Sequence, residues 1–252
     1  MKNTHVLCRY SEIALKGRNR GFFEKKLIDN IKKSLSSEDF STIKLFGGII
    51  STELTESAKE KSIKESLSKV FGIANFSFAI KVNPNIEDIK KLSLDLIKEK
   101  KGKTFKIDSS RSDKSFKLTS REINEIIGEH ICENTDKKVK LNNPSITCFI
   151  EMAKGETYIF TKKESGLNGM PVSSAGKVVS LISGGIDSPV SSYFMMKRGA
   201  VCVFVSFHSY PYTDEQSLQK IHNLVKVLNE YQYSSTLYMI PFASAQQEIM
   251  TK

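Results

Sequence analysis

Val178-Val179-Ser180-Leu181-Ile182-Ser183-Gly184-Gly185-Ile186-Asp187-Ser188-Pro189 is the stretch that decides the fold. It opens as an apolar run of strand length, breaks at Ser183-Gly184-Gly185 and resumes as a helix. Pro189 suits the first helical position, where its missing N–H would have had no partner, and Ser188 before it is a favourable N-cap. Strand, glycine turn and helix together aim several backbone N–H groups and the positive helix end at one point. That point is a place for an anion, most often a phosphate. The plain alternative is a glycine turn that only lets a helix pack on its strand.

The residues that are missing narrow the phosphate chemistry. No Lys-Ser/Thr pair follows the last glycine, as a Walker-type loop requires. The dinucleotide fingerprint needs three spaced glycines, and Gly184-Gly185 is a single adjacent pair. Ser183-Gly184-Gly185-Ile186-Asp187-Ser188 resembles instead the signature loop of the PP-loop ATP pyrophosphatases. The resemblance implies a loop that holds the pyrophosphate part of ATP and an enzyme that transfers AMP to its substrate.

The 252 residues are enough for two or three small domains with cores of their own. No apolar run approaches the roughly 20 residues that span a bilayer, and the N-terminus has no secretory h-region, so the expected location is the cytoplasm, with no membrane partner. Cys8, Cys132, Cys148 and Cys202 form no C-x-x-C pair. Three of them lie in apolar, strand-like segments and read as buried reduced thiols rather than metal ligands. The net charge of +10 is unevenly placed: residues 164–252 carry six basic and six acidic side chains, so the whole excess lies in 1–163. A basic half joined to a neutral, nucleotide-binding half suggests a polyanion held by one part and worked on by the other.

Residues 1–82 read as strand, helix, two strands, helix, strand. The strand Thr4–Tyr10 is followed by a loop through Lys16-Gly17-Arg18-Asn19-Arg20 and a helix with Phe23, Leu27, Ile31 and Leu35 at i+4 spacing. Two strands flank Gly47-Gly48, whose permitted positive φ suits a hairpin. Ser57 and Glu60 form a capping box for a second helix with Ile63, Leu67 and Val70 inward, and Phe76–Val82 is a last strand. This order is the ferredoxin-like plan, which settles no function.

Residues 83–163 begin with a helix capped in Asn83-Pro84-Asn85, its inner face Ile89, Leu92, Leu96 and Ile97. A basic run leads into a strand at Thr104–Asp108, then Arg111-Ser112-Asp113-Lys114-Ser115-Phe116-Lys117, then a helix capped by Thr119 with Ile123, Ile127 and Ile131 inward. Two strands hinged at Lys154-Gly155 close the segment. A single lysine here is by default a solvated face, and cations are favoured at helix C-termini in any case. As a whole the surface fits RNA, although no RNP-type aromatic pair or GXXG loop is present.

Residues 164–175 are a glycine- and serine-rich connector, and 176–252 read as βαβαβ. The run Ala200–Phe207 fits a parallel strand covered on both faces. Ligands of such sheets bind at the strand carboxyl ends, beside Ser206 and Phe207. His208-Ser209-Tyr210-Pro211-Tyr212 reads equally as site or as ordinary surface loop. The expected class is therefore α/β and α+β multidomain: a ferredoxin-like βαββαβ domain, a second α/β domain, and the first half of a doubly wound parallel-sheet domain.

The whole chain resembles the tRNA 4-thiouridine synthetase (tRNA sulfurtransferase) family. Arg9-Tyr10-Ser11-Glu12-Ile13-Ala14-Leu15-Lys16-Gly17-Arg18-Asn19-Arg20 is similar to its opening. Arg111-x-Asp113-Lys114-x-Phe116 with Ser120-x-Glu122-Ile123 is similar to its THUMP domain, Gly166-Leu167 with Pro171-Val172 to its linker, and Leu181–Val190 to its PP-loop. The resemblance implies domains at 1–82, 83–163 (with profile limits near 60 for the THUMP start) and 176–252. It implies that the first two hold the acceptor end of tRNA while the third adenylates O4 of uridine 8. A persulfide loaded by a cysteine desulfurase then displaces AMP, giving 4-thiouridine. The family is also linked to sulfur transfer for the thiamine thiazole ring, and a homodimer is compatible with it.

In these roles Ser183, Gly184, Gly185 and Ser188 bind pyrophosphate, and Asp187 positions the ATP phosphates, through Mg²⁺, as the one catalytic candidate. Leu181, Ile182, Ser206 and Phe207 line the adenosine site. The tRNA candidates are Lys16, Arg18, Arg20, Lys103, Arg111, Lys114 and Lys117, and no protein metal-ligand set is assigned. The family's sulfur-relay cysteine and later basic residues lie beyond Lys252, and none of the four cysteines matches that position. The chain by itself is therefore expected to be C-terminally incomplete and inactive. The alternatives are another PP-loop ligase of nucleotide or RNA substrates, or a non-catalytic tRNA-binding protein.

Overall fold

The computed structural model describes residues 2–112, 116–210, 212 and 214–251. The elements begin with β1 (His5–Arg9), a 3-10 stretch (Glu12–Asn19), α1 (Arg20–Ser34), β2 (Phe40–Phe46), β3 (Ile49–Leu54), α2 (Glu60–Leu67) and β4 (Asn75–Val82). Next come α3 (Ile86–Glu99), β5 (Thr104–Arg111), α4 (Ser120–Asn134), β6 (Lys138–Val139), β7 (Ile146–Ala153), β8 (Glu156–Phe160) and β9 (Glu164–Ser165). The rest is β10 (Lys177–Leu181), α5 (Asp187–Lys197), β11 (Val201–His208), α6 (Glu215–Gln232), β12 (Leu237–Pro241) and α7 (Ala243–Met250). Packing groups 1–9, 37–63 and 75–165 in one compact unit, and 10–36, 64–74 and 166–252 in a second.

The first unit is built on one nine-stranded sheet of order β2-β3-β1-β4-β8-β7-β5-β6, with β9 paired on β4. The β2-β3-β1-β4 part is the ferredoxin-like order, and the Gly47-Gly48 turn that joins β2 to β3 has φ of 51° and 85°. Antiparallel pairing of β4 with β8 continues it into the second half. There α3 and α4 bury Ile89, Ile97, Ile123, Ile127 and Ile131 with Phe105, Cys148 and Ile150 of the sheet. Each such side chain contributes about 1.5–3 kcal/mol on burial. Asn85 caps α3 by accepting from Asp88 N at 2.9 Å, and Thr119 with Glu122 closes a complete capping box on α4.

Several local expectations give way. Lys16–Asn19 of the expected loop belong to the 3-10 stretch, broken only at Gly17, whose φ is 51°, and Arg20 opens α1. Ser57 builds no capping box: its hydroxyl donates to Glu38 O, and Glu60 accepts from Asn3 instead. The helix after the glycine loop starts two residues earlier than expected, with Ile186 as its N-cap and Asp187 first. Ser188 is therefore the second helical residue and Pro189 the third, still within the turn whose N–H groups lack intrahelical partners. The short strands β6 and β9 carry no alternation long enough to read.

In the second unit β10, β11 and β12 form a parallel sheet, in that order. Here α5 packs on β10, β11 and α6, while α6 packs on β11. Right-handed crossovers running in one direction place both helices on the same face. Cys202 and Phe204 are buried under them, whereas Val179, Leu181, Phe207 and Tyr238 on the other face are more than half exposed. The expectation that β11 is covered on both faces is thus wrong within this chain.

The connector is a tied strap within this unit. Asn168 N donates to Ile73 O, Gly72 N to Asn168 O, Met170 N to Lys197 O, and both Ser174 N and Ala175 N to Gly199 O. Buried Asn30 of α1 donates to Val172 O at 3.2 Å. Phe71 stacks on Tyr231 and meets Tyr193 edge to face. These bonds join α1 and residues 64–74 to the glycine loop in one packed body.

Candidate nucleotide-binding site

The loop is held open by its serines. Ser183 N donates to Ser188 Oγ at 3.0 Å, which folds the chain back across Gly184-Gly185. Ser192 Oγ donates to Ser188 O at 2.7 Å and lies 2.6 Å from Ser180 Oγ, anchoring the first turns of α5 to β10. The N-cap, Ile186, offers no side-chain acceptor. The N–H groups of the first turn are thus left for a ligand. Asp187 is exposed in that turn.

Beside the loop, at the carboxyl ends of β10 and β11, is a cleft of about 610 Å³. That is within the range of small-molecule and cofactor sites. Its lining includes six residues expected from sequence, Leu181, Ile182, Ser183, Gly184, Ser206 and Phe207. Gly185, Asp187 and Ser188 belong to the adjoining turn and do not line it. Val205, Ser217, Lys220 and Ile221 line it as well and are not legible from the loop motif. Three of them stand on α6, on one face at i, i+3 and i+4. Only the placing of α6 against β11 brings them in.

The tRNA candidates divide between the units. Lys16, Arg18 and Arg20 are in the second; Lys103, Arg111 and Lys117 are in the first; Lys114 lies outside the described residues. Lys16, Arg18, Lys103 and Lys117 are exposed. Arg20 is engaged locally, its Nε 2.7 Å from Glu24 Oε1 and its guanidinium also bound to Tyr10. Arg111 donates to Phe116 O and to Leu118 O, which ties the strand end to the following turn.

All four cysteines are free, and only Cys132 is exposed. Burial pushes the thiols of Cys8 and Cys148 up to about 12 and that of Cys202 up to about 11, so they stay protonated and unreactive. Among the described residues no helix is long and apolar enough to cross a membrane, and no cluster of His, Cys, Asp and Glu could hold a metal.

Three family models match in sequence: the ThiI ferredoxin-like domain over 5–77, the THUMP domain over 83–162, and the thiamine biosynthesis protein ThiI over 173–252. The chain is 42% identical to a probable tRNA sulfurtransferase of Mycoplasmopsis synoviae, covering 94% of itself and 61% of that protein. It is 38% identical to one of Bacillus subtilis, covering 99% and 63%. Among solved structures it matches a 4-thiouridine synthetase–RNA complex with bound ATP at a TM-score of 0.85 and 32% identity, over 98% of this chain and 64% of that one. It also matches PH1313 of Pyrococcus horikoshii at 0.84 and 30%, over 98% and 82%. The chain spans somewhat over three fifths of the length of the curated relatives it matches. With the glycine loop, the ferredoxin-like strand order and these matches together, the chain belongs to the tRNA sulfurtransferase, or 4-thiouridine synthetase, family.

Proposed function

We propose that this chain supplies the nucleotide-binding and tRNA-binding parts of an ATP-dependent tRNA sulfurtransferase. The observation that carries the reading is the uncapped start of α5 behind Gly184-Gly185, opening on a cleft lined by Leu181, Ile182, Ser206 and Phe207. The apolar walls suit an adenine ring and the N–H cluster suits its phosphates. In the reaction, O4 of uridine 8 attacks the α-phosphorus and the bond to the bridging oxygen breaks. Pyrophosphate leaves with the electron pair, and AMP remains on O4. The outer sulfur of a persulfide loaded by a cysteine desulfurase then attacks C4 and AMP departs. A second thiol of the complete enzyme cleaves the S–S bond of the adduct, forming a disulfide with the carrier cysteine and leaving 4-thiouridine. Sulfur transfer for a thiazole ring would use the same donor.

The residues present fit Mg²⁺ in a limited way. The ion usually takes one or two carboxylates together with substrate phosphates, and Asp187 is the carboxylate on the turn. Ser183, Gly184, Gly185 and Ser188 hold pyrophosphate in this reading. The exposed Lys16, Arg18, Lys103 and Lys117 face solvent where a nucleic-acid backbone could approach. Segment limits near 82, 163 and 175, a cytoplasmic location and a homodimer are carried as part of the same proposal.

Two measurements test it. Mass analysis of tRNA from cells with and without the gene should show 4-thiouridine lost with the gene. Turnover of ATP by the complete enzyme should release AMP and pyrophosphate; ADP and orthophosphate would overturn the assignment.

A further inference from the structure

The nucleotide cleft contains a cation that the loop motif does not include. Lys220 lines it from α6, with Ser217 three residues earlier and Ile221 next to it. Its stem runs along the glycine turn: a methyl group placed on Gly184 would stand 3.5 Å from Lys220 Cδ and 4.0 Å from Nζ. Nothing on the helix neutralises it. The positions three and four residues away are Gln216, Ser217, Asn223 and Leu224, so no intrahelical carboxylate is available. Among the described residues its ammonium has no ion-pair or hydrogen-bond partner. A lysine with no counter-ion, against a glycine turn and beside an uncapped helix start, is positioned for a ligand with more than one negative charge.

We propose that Lys220, beside the glycine loop, binds the β- and γ-phosphates of ATP, and so contributes to separating ATP from AMP at this site. The inference rests on the nucleotide reading above and goes further by adding a side chain outside the loop motif to the polyphosphate site. When AMP is transferred, the α-phosphorus to bridging-oxygen bond breaks and charge grows on the departing pyrophosphate. The Lys220 ammonium is then a counter-charge for the leaving group as well as a binding contact. Adenosine is left to the apolar wall, and the loop N–H groups share the pyrophosphate with Lys220. AMP therefore gains little from Lys220.

The test is a titration of the 252-residue chain, followed by NMR shifts or calorimetry, with ATP, AMP and inorganic pyrophosphate as separate probes. Lys220→Ala should weaken ATP and pyrophosphate by about tenfold or more, as expected for loss of a charge-assisted contact, and leave AMP within about twofold. Lys220→Arg should restore most of the difference. Lys220 is exposed, so thermal unfolding of both variants should match that of the parent chain. Equal loss for all three probes, or no loss for any, overturns the proposal while leaving the nucleotide site standing. A parent chain that binds neither ATP nor pyrophosphate overturns the nucleotide reading and this inference with it.

Discussion

Arg9 on β1 grips Glu151 on β7 through two hydrogen bonds, Nε to Oε1 at 2.8 Å and Nη2 to Oε2 at 2.7 Å. The same guanidinium reaches Asn75 Oδ1 and Ser77 Oγ at 3.1 Å each and lies 4.8 Å from the Phe160 ring centroid. The pair spans β4 and β8, and so ties the ferredoxin-like strands to the rest of the nine-stranded sheet. Both side chains are largely buried, at 14% and 12% exposure. Glu151→Ala should therefore cost about 3–5 kcal/mol, because it strands a buried guanidinium, and Arg9→Met with Glu151→Leu should cost less. Urea unfolding of the single and double variants measures the difference.

Glu156 makes the first unit acid-sensitive. Burial by itself raises this carboxyl, but hydrogen bonds from Lys44, Lys81 and Tyr158 outweigh it and hold it at about 2. The donors stand 2.6, 2.8 and 2.8 Å away. A depressed folded-state value contributes stability that is fully present above the ordinary carboxylate range and lost as pH falls towards the folded value. The stability gap between the parent chain and Glu156→Gln should therefore be constant above pH about 5 and shrink steadily down to about 2. Denaturant midpoints across that range check the direction.

The strap should tolerate no side chain at Gly169. Its φ is +80°, and an added methyl would lie 2.4 Å from Lys197 O. Gly169→Ala should destabilise the second unit by about 2–4 kcal/mol, through both strain and backbone clash. Ala at Gly176, where φ is +82° but nothing is within 4 Å, should cost less. Thermal melts of the two variants separate clash from conformational strain.

A different outcome is expected in the loop. Gly185 has ordinary φ, and an added methyl meets only Ser183 Oγ at 3.5 Å. Gly185→Val should fold with a Tm close to that of the parent yet lose ATP binding, since its side chain occupies the mouth of the turn. A variant that binds ATP normally would place the phosphates elsewhere.

For tRNA, charge reversal at Lys16 and Arg18 should weaken binding and flatten its salt dependence by up to about 0.9 log unit per lost duplex phosphate contact. Arg111→Glu should instead lower stability first, because its guanidinium holds the Phe116 and Leu118 carbonyls. Filter binding at several salt concentrations, beside melts of the same variants, distinguishes the two effects.

Local chemistry determined much of this protein. Apolar periodicity located α1, α3 and α4, the Gly47-Gly48 and Lys154-Gly155 turns located two hairpins, and Ser183–Ser188 marked the glycine turn between β10 and α5, because each signal acts between residues close in sequence. The start of α5 was misplaced because Ser188 spends its hydroxyl on Ser183 N, a bond that exists only once the loop is folded. Lys220 was invisible for a similar reason: its meaning lies in the neighbour across the cleft, 36 residues away in the chain. Charge shows the same division. Along the sequence, residues 164–252 are neutral and follow a basic first part. In the fold, 10–36 brings seven basic and three acidic side chains into the loop's own unit, and 64–74 brings two and one. With six and five from Gly166 onward, that unit carries +6 of the total +10. Sequence fixes how much charge the chain has, and packing of α1 through Asn30 and Val172 decides which body carries it.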